Sequence, residues 1–195
     1  KINYEIFVQL NQFVINGWLL SDRMPLNIRD TMITGQIAMN TNGQIAHDIY
    51  YNLRGNLDLT FDGGVISGFG FDEFYASAEN ITSFNAEYAL ARALTGGETK
   101  LKQLQIIGDY ERGNFITTAP AKISMRHTDG IGGFAITDGY MTAEFDLTLR
   151  GTAPTPATIQ LSIMPDNTRA YSLSDIMRQI DPGFMRAFVK THDKF

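Results

Sequence analysis

The run Tyr140-Met141-Thr142-Ala143-Glu144-Phe145-Asp146-Leu147-Thr148-Leu149 decides the fold class. Ala143, Phe145, Leu147 and Leu149 alternate with Thr142, Glu144, Asp146 and Thr148, and this period of two sends the sets to opposite faces of a strand. One face must be buried and the other wet, as in an antiparallel sheet packed on one side. On its N-terminal side, Leu101–Tyr110, Asn114–Met125 and Gly132–Thr137 also read as strands. Turns are expected at Glu111-Arg112-Gly113-Asn114, His127-Thr128-Asp129-Gly130 and Thr137-Asp138-Gly139. On its C-terminal side, Pro154-Thr155-Pro156 suits an edge or linker, and Thr158–Met164 supplies a last strand.

The same alternation reaches the start of the chain. Tyr4, Ile6, Val8 and Leu10 share one strand face with Glu5 and Gln9 opposite, and Phe13–Leu20 reads as a second strand with a turn near Asn16-Gly17. After a break at Asp22–Pro25, Met32–Met39 and Ile45–Leu53 predict a hairpin across Asn40-Thr41-Asn42-Gly43. Leu57, Leu59 and Phe61 predict another, turning at Asp62-Gly63-Gly64 into Val65–Phe69. Residues 72–96 lose the alternation. Phe84, Tyr88, Ala91 and Leu94 recur at helical spacing behind Thr82 or Ser83 as a cap, so a short helix and then a longer one are expected. Ser172 and Asp175 are spaced like a capping box at the head of an amphipathic helix, giving a helical tail over residues 172–190. The sum is about nine or ten antiparallel strands with a helical insertion and a C-terminal helix: a mainly β chain, its curved antiparallel sheet an open groove or a half-barrel or sandwich.

Composition agrees. The chain has 195 residues, 18 of them glycine, and only 19% are charged, a tilt toward turn-rich β structure. This length makes one β-rich domain, residues 1–195. Lys plus Arg number 16 against 21 Asp plus Glu, for a net charge of −5, so neither a nucleic-acid backbone nor an anionic membrane surface is expected as the main partner. With no cysteine there is no disulfide framework, no thiolate nucleophile and no cysteine-based metal site. No segment has the run of apolar residues that spans a bilayer as a helix.

Reactive chemistry is sparse. His47, His127 and His192 lie far apart in sequence and outside any metal-binding motif, and read as surface or turn residues; no metal or cofactor is expected. Ser67 in Gly64-Val65-Ile66-Ser67-Gly68 lacks the glycine two residues earlier that a nucleophile elbow needs. Gly68-Phe69-Gly70 lacks the third glycine of a dinucleotide fingerprint and reads as a bulged strand end. Asp72 with Glu73, and Asp109 with Glu111, read as solvated turn charges. The informative surplus is apolar. Leu57, Leu59 and Phe61, with Phe145, Leu147 and Leu149, would line an apolar trough or fill a dry core equally well.

From Asn52 onward the order of short motifs is similar to the C-terminal region of AsmA-like proteins. The pieces are Gly55-Asn56-Leu57-Asp58-Leu59, Asp62-Gly63-Gly64-Val65-Ile66-Ser67-Gly68, the helical insertion through Gly96, Gly97-Glu98-Thr99-Lys100-Leu101-Lys102-Gln103-Leu104, Arg112-Gly113-Asn114-Phe115 and Ile136–Leu147. The likeness covers roughly residues 52–165. It implies a Gram-negative envelope protein whose parent chain is anchored in the inner membrane by an N-terminal helix and extends a β groove through the periplasm. It further implies a role in glycerophospholipid movement and outer-membrane biogenesis. The present chain would then be a C-terminal fragment of a longer protein. Its partners would be phospholipid acyl chains, other envelope proteins or the remaining repeats of the parent; the family has no catalytic residues to carry over. Acyl chains would lie in the trough because each buried methylene contributes about 0.8 kcal/mol. Two other classes stay open: a structural or assembly module of a phage, pilus or secretion system acting through β-edge contacts, and an enzyme using distant carboxylates.

Overall fold

β9 (Tyr140–Leu149) forms over the bounds its alternation predicts, with Met141, Ala143, Phe145, Leu147 and Leu149 buried and the residues between them largely exposed. The computed structural model describes residues 2–21, 23–77, 80–81, 85–150 and 156–172. The helical tail over residues 172–190, the cap at Thr82 or Ser83, and His192 lie outside these, Ser172 excepted. Within them the chain runs β1 (Ile2–Trp18), β2 (Asn27–Gly43), α1 (Ala46–Tyr51), β3 (Arg54–Asp62), β4 (Val65–Ser67), α2 (Phe71–Ala76) and α3 (Ala86–Thr95). It continues through β5 (Glu98–Glu111), β6 (Asn114–Thr117), β7 (Ala121–Met125), β8 (Thr128–Thr137), β9, β10 (Ala157–Ile163) and β11 (Arg169–Tyr171).

All eleven strands belong to one curved antiparallel sheet of order β1-β2-β3-β5-β6-β8-β9-β10-β11, with β4 between β2 and β5 and β7 between β5 and β8. Most neighbours follow one another along the chain, but β3 pairs with β5 across the helical insertion and β6 pairs with β8 across β7. β5, β6, β8 and β7 close a small four-strand ring of ladders because β6 and β7 lie end to end in one slot, both paired to β5 and β8. Thr118-Ala119-Pro120 interrupts that slot, where proline has no N–H to give a ladder.

Three expected turns are overturned. Asn16-Gly17 is a bulge within β1, which pairs with β2 from Ile2 to Trp18 and changes register between Leu10 and Phe13 and between Ile15 and Trp18. Asp62-Gly63-Gly64 is an interruption inside one straight strand. Met32 pairs with Asp62 and Arg29 with Val65, equal steps on both sides, so β3 and β4 run the same way along β2 and β5. Gly64 must be glycine there: its φ is +97° and a Cβ would stand 2.5 Å from the Arg29 carbonyl oxygen. Asn42-Gly43 is still strand, and the segment read as its hairpin partner forms α1 instead. The turns at Arg112-Gly113 and Asp138-Gly139 form as expected, each with positive φ at both residues. β8, by contrast, already begins at Thr128, inside the turn expected at His127–Gly130.

α2 and α3 occupy the helical insertion as expected and pack on the inner face of the sheet. Phe71, Phe74 and Tyr75 of α2 and Leu90, Ala93 and Leu94 of α3 join a single core with Ile66, Leu101, Ile123, Met125, Leu147 and Ile159. Two bonds fix α2: Thr99 Oγ1 accepts from the Phe71 amide at 2.9 Å, and the Tyr75 hydroxyl donates to the His127 carbonyl at 2.9 Å. Burial pushes the Tyr75 pKa upward, so that hydroxyl stays a donor throughout the neutral range.

Candidate functional site

The strand register turns the alternating residues into continuous inner-face rows. Opposed residues on paired strands put their side chains on one face. One row runs Ile33, Phe61, Leu104, Ile123, Gly130, Leu147, Ile159 across seven strands. Beside it run Leu10, Gly35, Leu59, Ile106 and Val8, Ile37, Leu57, Gly108, and then Ile6, Met39, Gly55, Tyr110. The two sets singled out in the sequence therefore share one face, and Phe61 and Leu147 share one row.

That face is divided in two. Where α2 and α3 cover it, Phe61, Phe145, Leu147 and Leu149 are core, the last two with no solvent exposure. They offer no surface to a ligand in this conformation; of the two roles open to them from sequence, packing places them in the dry core. Leu57 and Leu59 are only half-buried. Beyond them, on the wing made by β1, β2 and the start of β3, α1 rests on the inner face at Thr41 and Gly43 of β2, but along β1 that face is open: Ile6 is 46% exposed, Tyr4 38% and Val8 37%. The open apolar surface lies on this wing, one strand group away from the Phe145 set. Alternation places Tyr4, Ile6, Val8 and Leu10 on a common face; what it could not show is that Ile37, Met39 and Leu57 continue that face across the sheet, with α1 seated beside them on Thr41 and Gly43.

Glycines sit where neighbours lean inward. A Cβ at Gly108 would stand 2.4 Å from the Phe115 ring, and one at Gly130 would stand 2.4 Å from the Ile123 side chain. Bare backbone at these points lets adjacent large side chains fold over the sheet. The Phe115 and Phe134 rings meet at 5.4 Å near the end of the covered region.

The far edge of the sheet is tied back to its beginning by Arg169 of β11. Its guanidinium donates to the Gly68 carbonyl at 2.5 Å, the Leu94 carbonyl at 2.6 Å and the Pro25 carbonyl at 2.8 Å, and lies 5.7 Å from the centre of the Phe69 ring. Burial lowers its pKa from the ordinary arginine value, yet it stays charged at neutral pH, satisfied by three main-chain oxygens. Near the other edge, Arg29 bonds Asp30 at 2.6 Å and Glu98 at 2.8 Å and lies 5.3 Å from the Trp18 ring centre.

The acidic pairs do not converge. Asp72 accepts from the Lys100 amide at 3.0 Å, Glu73 pairs with Arg92 at 3.3 Å, Asp109 is exposed on β5, and Glu111 pairs with Arg112 at 3.7 Å. Ser67 Oγ donates to the Asn27 carbonyl at 3.5 Å, a weak structural contact. His47 is stacked on Tyr51 at the surface. His127 is in ring contact with Tyr75, 4.7 Å between centroids. Ser124 bonds Asp129 at 2.9 Å, and Asp129 also pairs with Arg150. Among the described residues no group of three or more His, Cys, Asp or Glu is placed to hold a metal ion, and no helix is long and apolar enough to cross a membrane.

The fold and this surface define a mainly β protein, a curved antiparallel sheet with a buried core under α2 and α3 and an apolar wing that is open along β1. No protein-family model matches the chain, and neither does any curated protein or solved structure.

Proposed function

We propose that this chain is a noncatalytic module of a cell envelope that takes phospholipid acyl chains on the bare inner face of its β1–β3 wing and so contributes to lipid movement between membranes and to outer-membrane biogenesis. One observation carries the reading: Tyr4, Ile6 and Val8, exposed on β1, line up across three strands with the half-buried Ile37, Met39 and Leu57 as a continuous apolar surface beside α1. An acyl chain laid there gains about 0.8 kcal/mol per buried methylene, and its headgroup stays in water at the strand ends. The periplasm, with a parent chain anchored in the inner membrane, is the compartment the AsmA-like resemblance implies.

The test is mass spectrometry of protein purified without detergent. Phospholipid is expected to co-purify with the unaltered chain and to be lost from Leu57→Asp with folding retained, because Leu57 is half-buried. Leu147→Asp, which buries a lone carboxylate in the core, is expected to unfold the protein. Absence of lipid from the folded, unaltered chain after incubation with phospholipid vesicles sinks the reading.

A second reading is favoured by a different feature. β1 is a seventeen-residue strand that, among the described residues, is paired on one side only, to β2. A structural or assembly module acting through that edge is the alternative.

A further inference from the structure

Sheet edges present a row of unpaired amide and carbonyl groups, and folded proteins ordinarily protect them with charge, proline, shortness or cover. β11 meets this rule. It has three residues, and Arg169 straps it to Gly68, Leu94 and Pro25. β1 does not. From Ile2 to Trp18 it contains one charged residue, Glu5, and no proline. Its outer-face Phe7 is 65% exposed, and among the described residues nothing pairs with its free side. The two bulges lie beyond Leu10, so Ile2–Leu10 is a regular nine-residue segment with a continuous register to β2.

We propose that this edge is the interface with a second copy of the same chain, formed by antiparallel pairing of the Ile2–Leu10 segments about a two-fold axis at Ile6. The sequence of the segment is self-complementary in that register. On the inner face Ile2 opposes Leu10 of the other copy, Tyr4 opposes Val8, and Ile6 opposes its own equivalent. On the outer face Asn3 opposes Gln9 and Glu5 opposes Phe7, so the single charge never meets its like. A pairing of this kind is isologous and closes with two copies. The strapped, three-residue β11 offers no comparable edge for head-to-tail growth. Because the axis stands perpendicular to the sheet, the two bare wings join into one apolar surface of doubled width, without dependence on whether lipid occupies it.

The test uses the cysteine-free chain as a clean background. Sedimentation velocity from micromolar to submillimolar concentration is expected to show a monomer–dimer equilibrium. Ile6→Lys sets two ammonium groups against each other on the axis and is expected to weaken dimerisation at least about tenfold, with unchanged far-UV circular dichroism. Ile6→Cys is expected to form an intermolecular disulfide under mild oxidation, since directly opposed residues on antiparallel strands fall within disulfide reach. Tyr140→Cys, exposed on β9, serves as the control and is expected to stay uncrosslinked. A chain that is monomeric throughout the range overturns the proposal, as does a dimer in which Ile6→Cys crosslinks no faster than Tyr140→Cys. Loss of lipid from Leu57→Asp leaves this interface intact, so the two readings fail separately.

Discussion

Asp30 shows how one side chain reconciles a strand with its irregular neighbour. It has φ of 53° within β2, and its carboxylate accepts from the Gly17 amide at 2.9 Å, opposite the second bulge of β1. That bond, and then the bond from Arg29, hold its pKa below the usual aspartate value. The sign follows directly: a carboxylate with a depressed folded pKa stabilises above its unfolded pKa, about 3.9, and that contribution is lost as pH falls through the lower folded value. The Gly17 amide is therefore expected to be protected from hydrogen exchange at pH 6 and to lose protection only as pH falls below the usual aspartate range, through the lowered folded value. Asp30→Asn is expected to remove the pH dependence, and an unchanged profile in that variant would count against the account. The residue types at this site were legible in the sequence, but the pairing was not, because Gly17 and Asp30 meet only once β1 and β2 are in register.

Among the elements, the departures from expectation have a common cause. Asn-Gly and Gly-Gly pairs are turn signals because glycine tolerates positive φ, but glycine is also used where another part of the chain comes close. Gly43 keeps an ordinary φ, pairs with Ile2, and would put a Cβ 2.7 Å from the Asp48 Cβ and 2.9 Å from the Ile49 amide nitrogen. It is glycine because α1 rests on it. α1 itself carries little local signal: six residues, no buried side chain and no side-chain cap bond. It is held from outside, by Thr41 Oγ1 donating to the Ile49 carbonyl at 2.5 Å and Asn52 Nδ2 donating to the Asn42 carbonyl at 2.8 Å. Gly43→Ala is accordingly expected to cost about 1–3 kcal/mol through overpacking, read by urea denaturation, with near-UV circular dichroism reporting the displacement of Tyr50 and Tyr51. A loss below about 0.5 kcal/mol would show that the contact is slack. Where the signals are unambiguous, as in the alternation of β9 or the Arg112-Gly113 turn, the elements stand as the sequence predicts.

At the scale of the whole molecule, curvature decides what is sealed and what is bare. Arg169 draws the β11 edge onto the end of β4, the C-terminus of α3 and the loop before β2, and Asn167 Nδ2 adds a 3.3 Å bond to the Arg23 carbonyl. Arg169→Met keeps much of the stem but strands three partly buried carbonyls. It is expected to cost about 2–4 kcal/mol in urea unfolding and to raise hydrogen exchange at β10 and β11 before β9; a variant as stable as the unaltered chain would show that the strap is not needed. Leu57, Leu59 and Phe61 with Phe145, Leu147 and Leu149 illustrate the division of information. Their alternation alone determined that this is a mainly β, antiparallel protein and that each set of three shares one face of its own strand, because a period of two is a local property of extended backbone; that the two sets share a side of the sheet came from the strand register. Whether that side is core or open surface depends on where two helices and an arginine land after the sheet has curved. Those contacts join residues up to 144 positions apart, so only the tertiary structure could seal Leu147 and leave Val8 in the open.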